Sequence, residues 1–172
     1  ICIDKLIKFP EKYKNLKSTY KYMKKYETKL FIDFMESINK KRKKQNEKKS
    51  FYWPKLNTLS NGYIDWSWNA KDIVLFCKAF SEPFDGASTF INNNRIHFLD
   101  VELVDNNIKF HPFQSGLIYR IVRGSYYVAT NKGAIRINKY TVKDKIKDSK
   151  FKLGQRFVTP YKKLYSALTA KK

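Results

Sequence analysis

Two histidines and two cysteines are the side chains of this sequence best suited to acid–base, nucleophilic or metal chemistry. His97 follows Asn94 by three positions at a predicted turn-to-strand junction, and His111 stands before a proline in a predicted loop. Neither histidine has an acidic or nucleophilic partner at a spacing that would form an acid–base pair. The residues therefore predict no catalytic group, and we expect His97 to be a surface or partly buried strand residue.

Cysteine usage likewise predicts no metal site. Cys2 and Cys77 are far apart in apolar surroundings, and neither is spaced from another cysteine or a histidine as zinc ligands are. We expect buried thiols in a reducing cytoplasm. No stretch approaches the roughly 20 apolar residues of a membrane-spanning helix, and no signal peptide is visible. The prediction is a cytoplasmic protein with no membrane partner, and an opening isoleucine is consistent with a partial product.

The chain carries a large positive charge. Its 172 residues have a formal net charge of +21, with 42% hydrophobic and 16% aromatic residues. Those fractions favour a folded domain, alone or with an appendage, and the charge predicts attraction to nucleic acid, nucleotides or acidic membrane surfaces. Because lysine far outnumbers arginine and the charge is spread along the chain, we weigh a compositional origin above a dedicated nucleic-acid surface.

An amphipathic helix and a basic linker occupy the first part of the sequence. From Ser18 or Thr19 onward, apolar side chains recur at three- and four-residue spacing, as on one face of a helix. Residues 40–50 are rich in lysine and indicate a solvated linker, and 51–54 form an aromatic cluster closed by a proline. Such a helix and such aromatics need a surface to pack on. The helical stripe consists of Tyr20, Met23, Leu30, Phe31, Phe34, Met35 and Ile38.

The rest of the sequence predicts a short helix, five strands and a closing helix. Asn69 is the expected N-cap of the short helix, with an aspartate three positions on. Thr159 is the expected cap of the closing helix and Pro160 its first residue, and we expect Leu164 and Leu168 to face inward. Turn-separated segments with a two-residue period predict an α+β fold built on a small antiparallel OB-like β-barrel. The predicted strands are 88–92, 95–103, 116–123, 125–130 and 133–138.

Residues 57–87 combine a turn, a helix start and a second turn in an order that resembles a known enzyme family. Residues 62–66 read Gly-Tyr-Ile-Asp-Trp, a short amphipathic helix follows, and 83–87 read Pro-Phe-Asp-Gly-Ala. This order resembles the formyltransferases that use 10-formyltetrahydrofolate, in which the segment follows the catalytic domain and opens the carboxy-terminal domain. Residues 111–116, His-Pro-Phe-Gln-Ser-Gly, are similar to the loop before a barrel strand of that family.

The resemblance implies two domains. Residues 1–50 would be the tail helix of an upstream Rossmann-like catalytic domain plus a basic linker, and 51–172 would be the OB-like C-terminal domain. It also implies that the catalytic Asn-x-His pair, a distant aspartate and the bound 10-formyltetrahydrofolate belong to the upstream domain. Asn94 and His97 have the wrong spacing for that pair. No catalytic residue carries over, and we expect this chain alone to be catalytically silent.

Five junction residues are candidates for the acceptor side or the domain interface. The resemblance implies that Tyr52 and Trp53, with Lys55, lie near the cleft between the domains. Asp65 would accept hydrogen bonds from turn amides or pair with a cation across the interface, and we weigh the local turn role higher. Trp66 is interpreted as a packing residue rather than a platform for stacked bases.

Three functions stay open, in order of preference. The first is the C-terminal portion of a formyltransferase acting on the amine of a nucleotide-linked amino sugar. The second is the tRNA-binding part of a methionyl-tRNA formyltransferase, which the basic charge favours because phosphate neutralisation strengthens tRNA binding. The third is a non-catalytic basic nucleic-acid-binding barrel, which tyrosine and arginine on the predicted strands would suit. The partners considered are the upstream domain, the sugar nucleotide or initiator tRNA, and a second copy in a homodimer.

Overall fold

The computed structural model describes residues 16–39, 46–142 and 150–170, together with 8, 10 and 44. The chain divides into two compact units, Ile1–Pro54 and Lys55–Lys172. Cys2 and most of the basic block 40–44 lie outside the described residues.

The first unit contains the predicted amphipathic helix. Helix α1, Leu16–Glu36, begins two residues before the predicted start at Ser18, and a 3-10 turn follows at Glu47–Lys49. Five side chains of the predicted stripe are exposed: Tyr20, Met23, Phe31, Met35 and Ile38. An apolar face of this size on an exposed helix is typical of an interaction surface.

In its described residues, the second unit is a five-stranded antiparallel sheet with three helices. The strands are β1 (Ala87–Ile91), β2 (Asn94–Asp105), β3 (Ile118–Val122), β4 (Ser125–Ala129) and β5 (Ala134–Val142), in the spatial order β1-β2-β5-β4-β3. The helices are α2 (Thr58–Asn61), α3 (Ala70–Ala79) and α4 (Tyr161–Thr169). All five predicted strands are confirmed, although β2 and β5 run past their predicted ends because they pair with each other there.

A strap, residues 155–158, links the two edges of the sheet. Phe90 of β1 and Val158 exchange backbone hydrogen bonds of 3.0 and 2.8 Å, and Phe157 donates its N–H to the carbonyl of Gly116, just before β3, at 2.9 Å. These contacts are isolated bridges, so the five strands themselves form an open sheet. The antiparallel α+β fold is confirmed, whereas the strand pairing does not confirm the predicted OB-type barrel.

Helix α3 begins with the predicted cap. Asn69 Oδ1 accepts from the backbone N–H of Asp72 at 2.9 Å, and Asn69 Nδ2 donates to the Asp72 carboxylate at 2.6 Å. This reciprocal pair satisfies a backbone donor that the first helical turn leaves unbonded. The apolar face of α3 packs on β2 and β5. Its buried side chains are Ala70, Ile73, Val74 and Cys77.

Helix α4 begins at Tyr161, so Pro160 is its N-cap rather than its first helical residue, and the predicted Thr159 cap is wrong. One of the predicted core residues is also exposed. Leu164 is half-buried, whereas Leu168 is 85% exposed, so the predicted inward position of Leu168 is wrong. The reason is the way the helix is held. Asn61 at the end of α2 donates from its side chain to the carbonyl of Ala167 at 2.8 Å. Helix α4 is therefore held to α2 at Ala167, and this contact leaves the neighbouring Leu168 side chain uncovered.

His97 is more deeply buried than predicted. It lies on β2, as expected, but it is fully buried rather than a surface or partly buried residue. Its register partners are Ser88 in β1 and Thr141 in β5, and its Nδ1 lies 3.3 Å from the carbonyl oxygen of Gly86. Burial follows because β2 is an interior strand, paired with β1 on one side and β5 on the other, and its neighbours Ile96 and Phe98 are buried as well.

The Cys77 thiol is predicted to make the stability of the second unit depend on pH. Burial raises the pKa of this thiol far above its ordinary value, so the folded protein keeps a proton that the unfolded chain loses above about pH 8.5. The stabilisation is complete below that pH and declines as the pH rises. As the pH rises above about 8.5, the free energy of unfolding of the unmodified protein should fall more steeply than that of Cys77→Ala. The two slopes should differ by about 1.4 kcal/mol per pH unit. Urea unfolding of both proteins at increasing pH measures this, and equal slopes would contradict it.

Candidate functional site

The two segments that carry the family resemblance, 62–66 and 111–116, meet in the second unit. Ile64 is fully buried and donates its backbone N–H to the carbonyl of Ser88 at 2.8 Å, which fixes the first segment against β1. Ser115, in the second segment, donates from its hydroxyl to the carbonyl of Trp66. The junction is therefore held by the sheet on one side and by the loop before β3 on the other.

Asp65 lies in a tight turn between these two anchors. Its Oδ1 accepts from the backbone N–H of Ser67 at 2.9 Å, and its carbonyl accepts from the N–H of Trp68 at 3.2 Å. The first bond is an Asx-type bond, in which a short acidic side chain stabilises its own turn. The local turn role that we weighed for Asp65 is therefore present. Within the described part of the chain, no group bonds to its second carboxylate oxygen.

Trp66 belongs to the core of the second unit. Its indole Nε1 donates to Thr89 Oγ1 at 2.9 Å, and that hydroxyl lies 3.1 Å from Thr159 Oγ1. Its ring stacks on Phe157 of the strap, with centroids 5.9 Å apart and an interplanar angle of 11°, and meets Phe98 edge-on. Trp66 thus joins the junction to β1, β2 and the strap, and it acts as a packing residue.

Gly116 allows the strap to come close to the start of β3. Its φ of +81° lies in the left-handed region, and a Cβ there would lie 2.2 Å from the carbonyl oxygen of Phe157. Only glycine satisfies both conditions without a backbone shift. The close approach places Arg156 next to the junction.

A pocket of about 230 Å³ opens where the junction, the loop and the strap meet. Two residues of opposite charge line it, half-buried Asp65 and exposed Arg156. Among the described residues, neither side chain has an ion-pair partner. The pocket therefore offers one anionic and one cationic group to a ligand. Its lining is Asp65, Trp66, Ser67, Ser115, Arg156, Phe157, Val158, Thr159 and Leu164.

A second pocket, of about 200 Å³, shares Asp65 and Leu164 with the first. Its wall is formed by α2, α3, α4 and the junction and is mainly apolar. Asp65 is the one charged side chain in that wall as the structure describes it. The wall consists of Leu56, Asn61, Tyr63, Asp65, Trp68, Phe76, Leu164, Ala167 and Leu168.

The structure brings together two of the five predicted site residues, Asp65 and Trp66. Lys55 is exposed at the start of the second unit. Tyr52 and Trp53 are 84% and 83% exposed in the chain before it. Both rings are accessible, so their assignment to an acceptor cleft stays a prediction.

Sequence reasoning missed Arg156. Ser115 and Gly116 were within the recognised loop motif, but nothing in the sequence around Arg156 singles it out beyond a turn glycine, Gly154, two positions earlier. Arg156 reaches the junction only because the strap pairs with residues about forty positions away, through the bridge to Leu117. Such pairing has no local signal.

The outer face of the sheet carries a row of paired polar and aromatic side chains. Glu102, Arg136, Tyr127 and Arg120 stand opposite one another across β2, β5, β4 and β3. The Arg120 guanidinium lies 5.3 Å from the centre of the Tyr127 ring, and Arg136 pairs with Glu102. Hydrogen bonds to Tyr127 and to Glu102 raise the pKa of Arg136. One arginine of this face is therefore neutralised within the protein, which weakens its attraction for a phosphate backbone.

The described residues show neither a candidate metal cluster nor a candidate membrane span. They contain no group of three or more His, Cys, Asp or Glu side chains that could hold a metal ion. None of the helices in the same part of the chain is long and apolar enough to cross a membrane.

Comparison with known proteins assigns a family to the second unit. The model of the family described as formyl transferase, C-terminal domain, matches residues 58–155. That range is more than half of the chain, and it contains the junction, the loop before β3 and all five described strands. A search of curated proteins found no match.

Among solved structures, two variants of HypX from Aquifex aeolicus are similar to the chain. One has a TM-score of 0.52 and 19% identity, and the match covers 75% of this chain and 23% of that one. The other has a TM-score of 0.45 and 16% identity, and the match covers 74% and 20%. At these identities the likeness concerns the fold alone. The chain spans less than a quarter of the HypX chain.

Proposed function

The chain belongs to the formyl transferase C-terminal domain family, and we propose that it forms the acceptor side of a longer formyltransferase. That enzyme would transfer a formyl group from 10-formyltetrahydrofolate to the amine of a nucleotide-linked amino sugar. Asp65 and Trp66, with Tyr52, Trp53 and Lys55 ahead of them, are the proposed acceptor-side or domain-interface residues.

The observation that carries the proposal is the pocket at the junction. The segments that resemble the family converge there, and Asp65 and Arg156 border it without pairing to each other. A nucleotide-linked sugar has phosphates that suit a guanidinium and hydroxyls that suit a carboxylate. The pocket thus supports a small polar acceptor better than a large apolar one.

The cofactor is proposed to bind the upstream domain, as the family resemblance implies. Both pockets beside Asp65 are about 200–230 Å³, below the roughly 300–1,000 Å³ of sites that enclose a drug-sized ligand. Neither of these two pockets is large enough to enclose a folate, which is a drug-sized ligand. When bound, the cofactor would supply the formyl group, and the residues described for this chain would orient the acceptor.

An upstream Rossmann-like catalytic domain is the proposed partner. The exposed apolar stripe of α1 supports it, because an amphipathic helix gains most of its stability by packing that face. The hydrogen bonds of the strap to both sheet edges support an OB-like barrel as the finer form of the second unit. A cytoplasmic location belongs to the proposal, and the free thiol of Cys77 supports it because reducing compartments keep thiols unpaired.

The alternative acceptor is initiator methionyl-tRNA, and the net charge of +21 favours it. Phosphate contacts would make such binding strongly dependent on salt. The outer face of the sheet provides only a partial match, since Arg136 is already paired with Glu102. Methionyl-tRNA formylation is therefore the second candidate function. A non-catalytic nucleic-acid-binding barrel is the third, and its binding would depend on salt in the same way.

An acceptor comparison tests the proposal. The full-length protein is incubated with 10-formyltetrahydrofolate and either a panel of nucleotide-linked amino sugars or initiator methionyl-tRNA. We expect kcat/KM for one of the sugars to exceed that for tRNA by about a hundredfold or more, because a site built for one polar acceptor discriminates strongly. Formylation of tRNA alone, with steeply salt-dependent binding, would contradict the sugar proposal and support the second candidate.

A further inference from the structure

We propose that the pocket between Asp65 and Arg156 is a subsite for one phosphorylated sugar unit, with Arg156 on the phosphate and Asp65 on the hydroxyls. This inference rests on the proposed function, because it names the part of the acceptor that the chain holds. It assigns Arg156 as a specificity-determining residue.

The arrangement of charge points to such a ligand. Asp65 and Arg156 line the same pocket, yet neither has an ion-pair partner in the described part of the chain. A guanidinium binds phosphate through two parallel N–H···O bonds, and a carboxylate oxygen accepts from a hydroxyl. A molecule that carries a phosphate next to hydroxyl groups satisfies both side chains at once. A simple cation or a simple anion satisfies only one of them.

The volume limits the ligand to one unit. About 230 Å³ is roughly eight times the 30 Å³ share of one water molecule in the liquid, which is room for a single sugar ring with a phosphate. Three hydroxyl side chains lie in the wall, those of Ser67, Ser115 and Thr159. Ser115 already donates to the carbonyl of Trp66, and Thr159 Oγ1 lies 3.1 Å from Thr89 Oγ1. The hydroxyl of Ser67 is therefore the one best placed to bond a polyhydroxylated ring, and the other two oxygens can still accept from it.

Both charged side chains stand on a backbone that is fixed in advance. The Asp65 turn is closed by its bond to Ser67, and the strap that carries Arg156 is bonded to Gly116 and to β1. A preorganised site loses less conformational freedom on binding. This geometry therefore favours binding without a large rearrangement of the second unit.

Binding to the 172-residue chain tests the subsite. Calorimetric titration would use glucose 1-phosphate as the probe, with glucose, inorganic phosphate and adenosine 5′-monophosphate for comparison. We expect glucose 1-phosphate to bind more tightly than glucose or phosphate alone. Arg156→Ala and Asp65→Asn should each weaken its binding about tenfold or more, as expected when charge-assisted hydrogen bonds are lost.

Two matched variants control for charge and for folding. Arg120→Ala removes the same side chain from the outer face of the sheet and should leave the affinity unchanged. Asp105 makes the same type of turn bond, to the N–H of Asn107 at 2.6 Å, so Asp105→Asn should also have no effect. Asparagine can keep the Ser67 bond at position 65, so a merely structural role for Asp65 predicts unchanged affinity in Asp65→Asn.

The outcomes separate this inference from the proposed function. An affinity for glucose 1-phosphate that does not exceed that for phosphate, or that does not respond to Asp65→Asn or Arg156→Ala, would overturn the subsite. If adenosine 5′-monophosphate binds as tightly as glucose 1-phosphate or more tightly, the subsite proposal is overturned, and a site for a terminal nucleotide of RNA is supported instead. Formyl transfer is not needed for this readout. A full-length protein active on an amino sugar, with no binding of the probe to this chain, would refute the subsite alone.

Discussion

Replacing Trp66 with alanine should lower the free energy of unfolding of the second unit by about 3–5 kcal/mol, the usual cost of deleting a buried aromatic side chain. The ring stacks on Phe157 and meets Phe98, and its Nε1 donates to Thr89. The alanine variant would lose these contacts and leave the Thr89 hydroxyl without its donor. Since domains are stable by only about 5–15 kcal/mol, much of the stability would be lost. Denaturant unfolding measured by circular dichroism gives the value.

Two control variants separate packing from hydrogen bonding. Trp66→Phe keeps an aromatic ring but loses the bond to Thr89 and part of the packing surface, so we expect an intermediate cost of about 1–3 kcal/mol. Trp53→Ala removes a tryptophan that is 83% exposed, and its effect on unfolding should stay within about 0.5 kcal/mol. Equal costs for Trp66→Ala and Trp53→Ala would contradict the core role of Trp66.

Replacing Gly116 with alanine should be the second most damaging change. The new Cβ would lie 2.2 Å from the carbonyl oxygen of Phe157, at a φ of +81°, so either β3 or the strap must move. A non-glycine residue in this region costs about 1–2 kcal/mol in backbone strain, and the displaced strap adds to that cost. We expect a total loss of about 3 kcal/mol or more, together with weaker binding of any ligand held by Arg156.

Gly124 provides the matched control for this prediction. Its φ of +80° is nearly the same, but a Cβ there would meet nothing within 4 Å. Gly124→Ala should therefore lose only the strain of about 1–2 kcal/mol. If the two alanine variants unfold with the same free energy, the close approach of the strap is not what requires glycine at position 116.

The helices and strands of the second unit could be predicted from sequence because caps, turns and strand periodicity depend on residues that are close together in the chain. The N-cap at Asn69, the turn glycines and the two-residue period of the strands each depend on neighbours in sequence, and each is present in the structure. Two errors share one cause. The burial of His97 and the exposure of Leu168 depend on which elements cover them, and a single sequence does not specify that.

The candidate site was predictable only in part. The junction motif indicates Asp65 and Trp66 as site residues, and the resemblance of the Gln-Ser-Gly loop to the family indicates that loop. Arg156 reaches the pocket through a strap that bridges Phe90 and Leu117, at long sequence separations. The pocket therefore arises from three segments, of which only two carried a signal in the sequence.

Formyl transfer by the full-length protein, compared with residues 1–172 alone, tests the central claim most directly. Radiolabelled 10-formyltetrahydrofolate and a panel of nucleotide-linked amino sugars would be supplied to both. We predict label transfer to the amine of one sugar by the full-length protein and none by the 172-residue chain. Transfer by the chain alone would contradict the assignment of catalysis to an upstream domain. Absence of transfer to every amino sugar by an intact, folded full-length protein would contradict the proposed function itself.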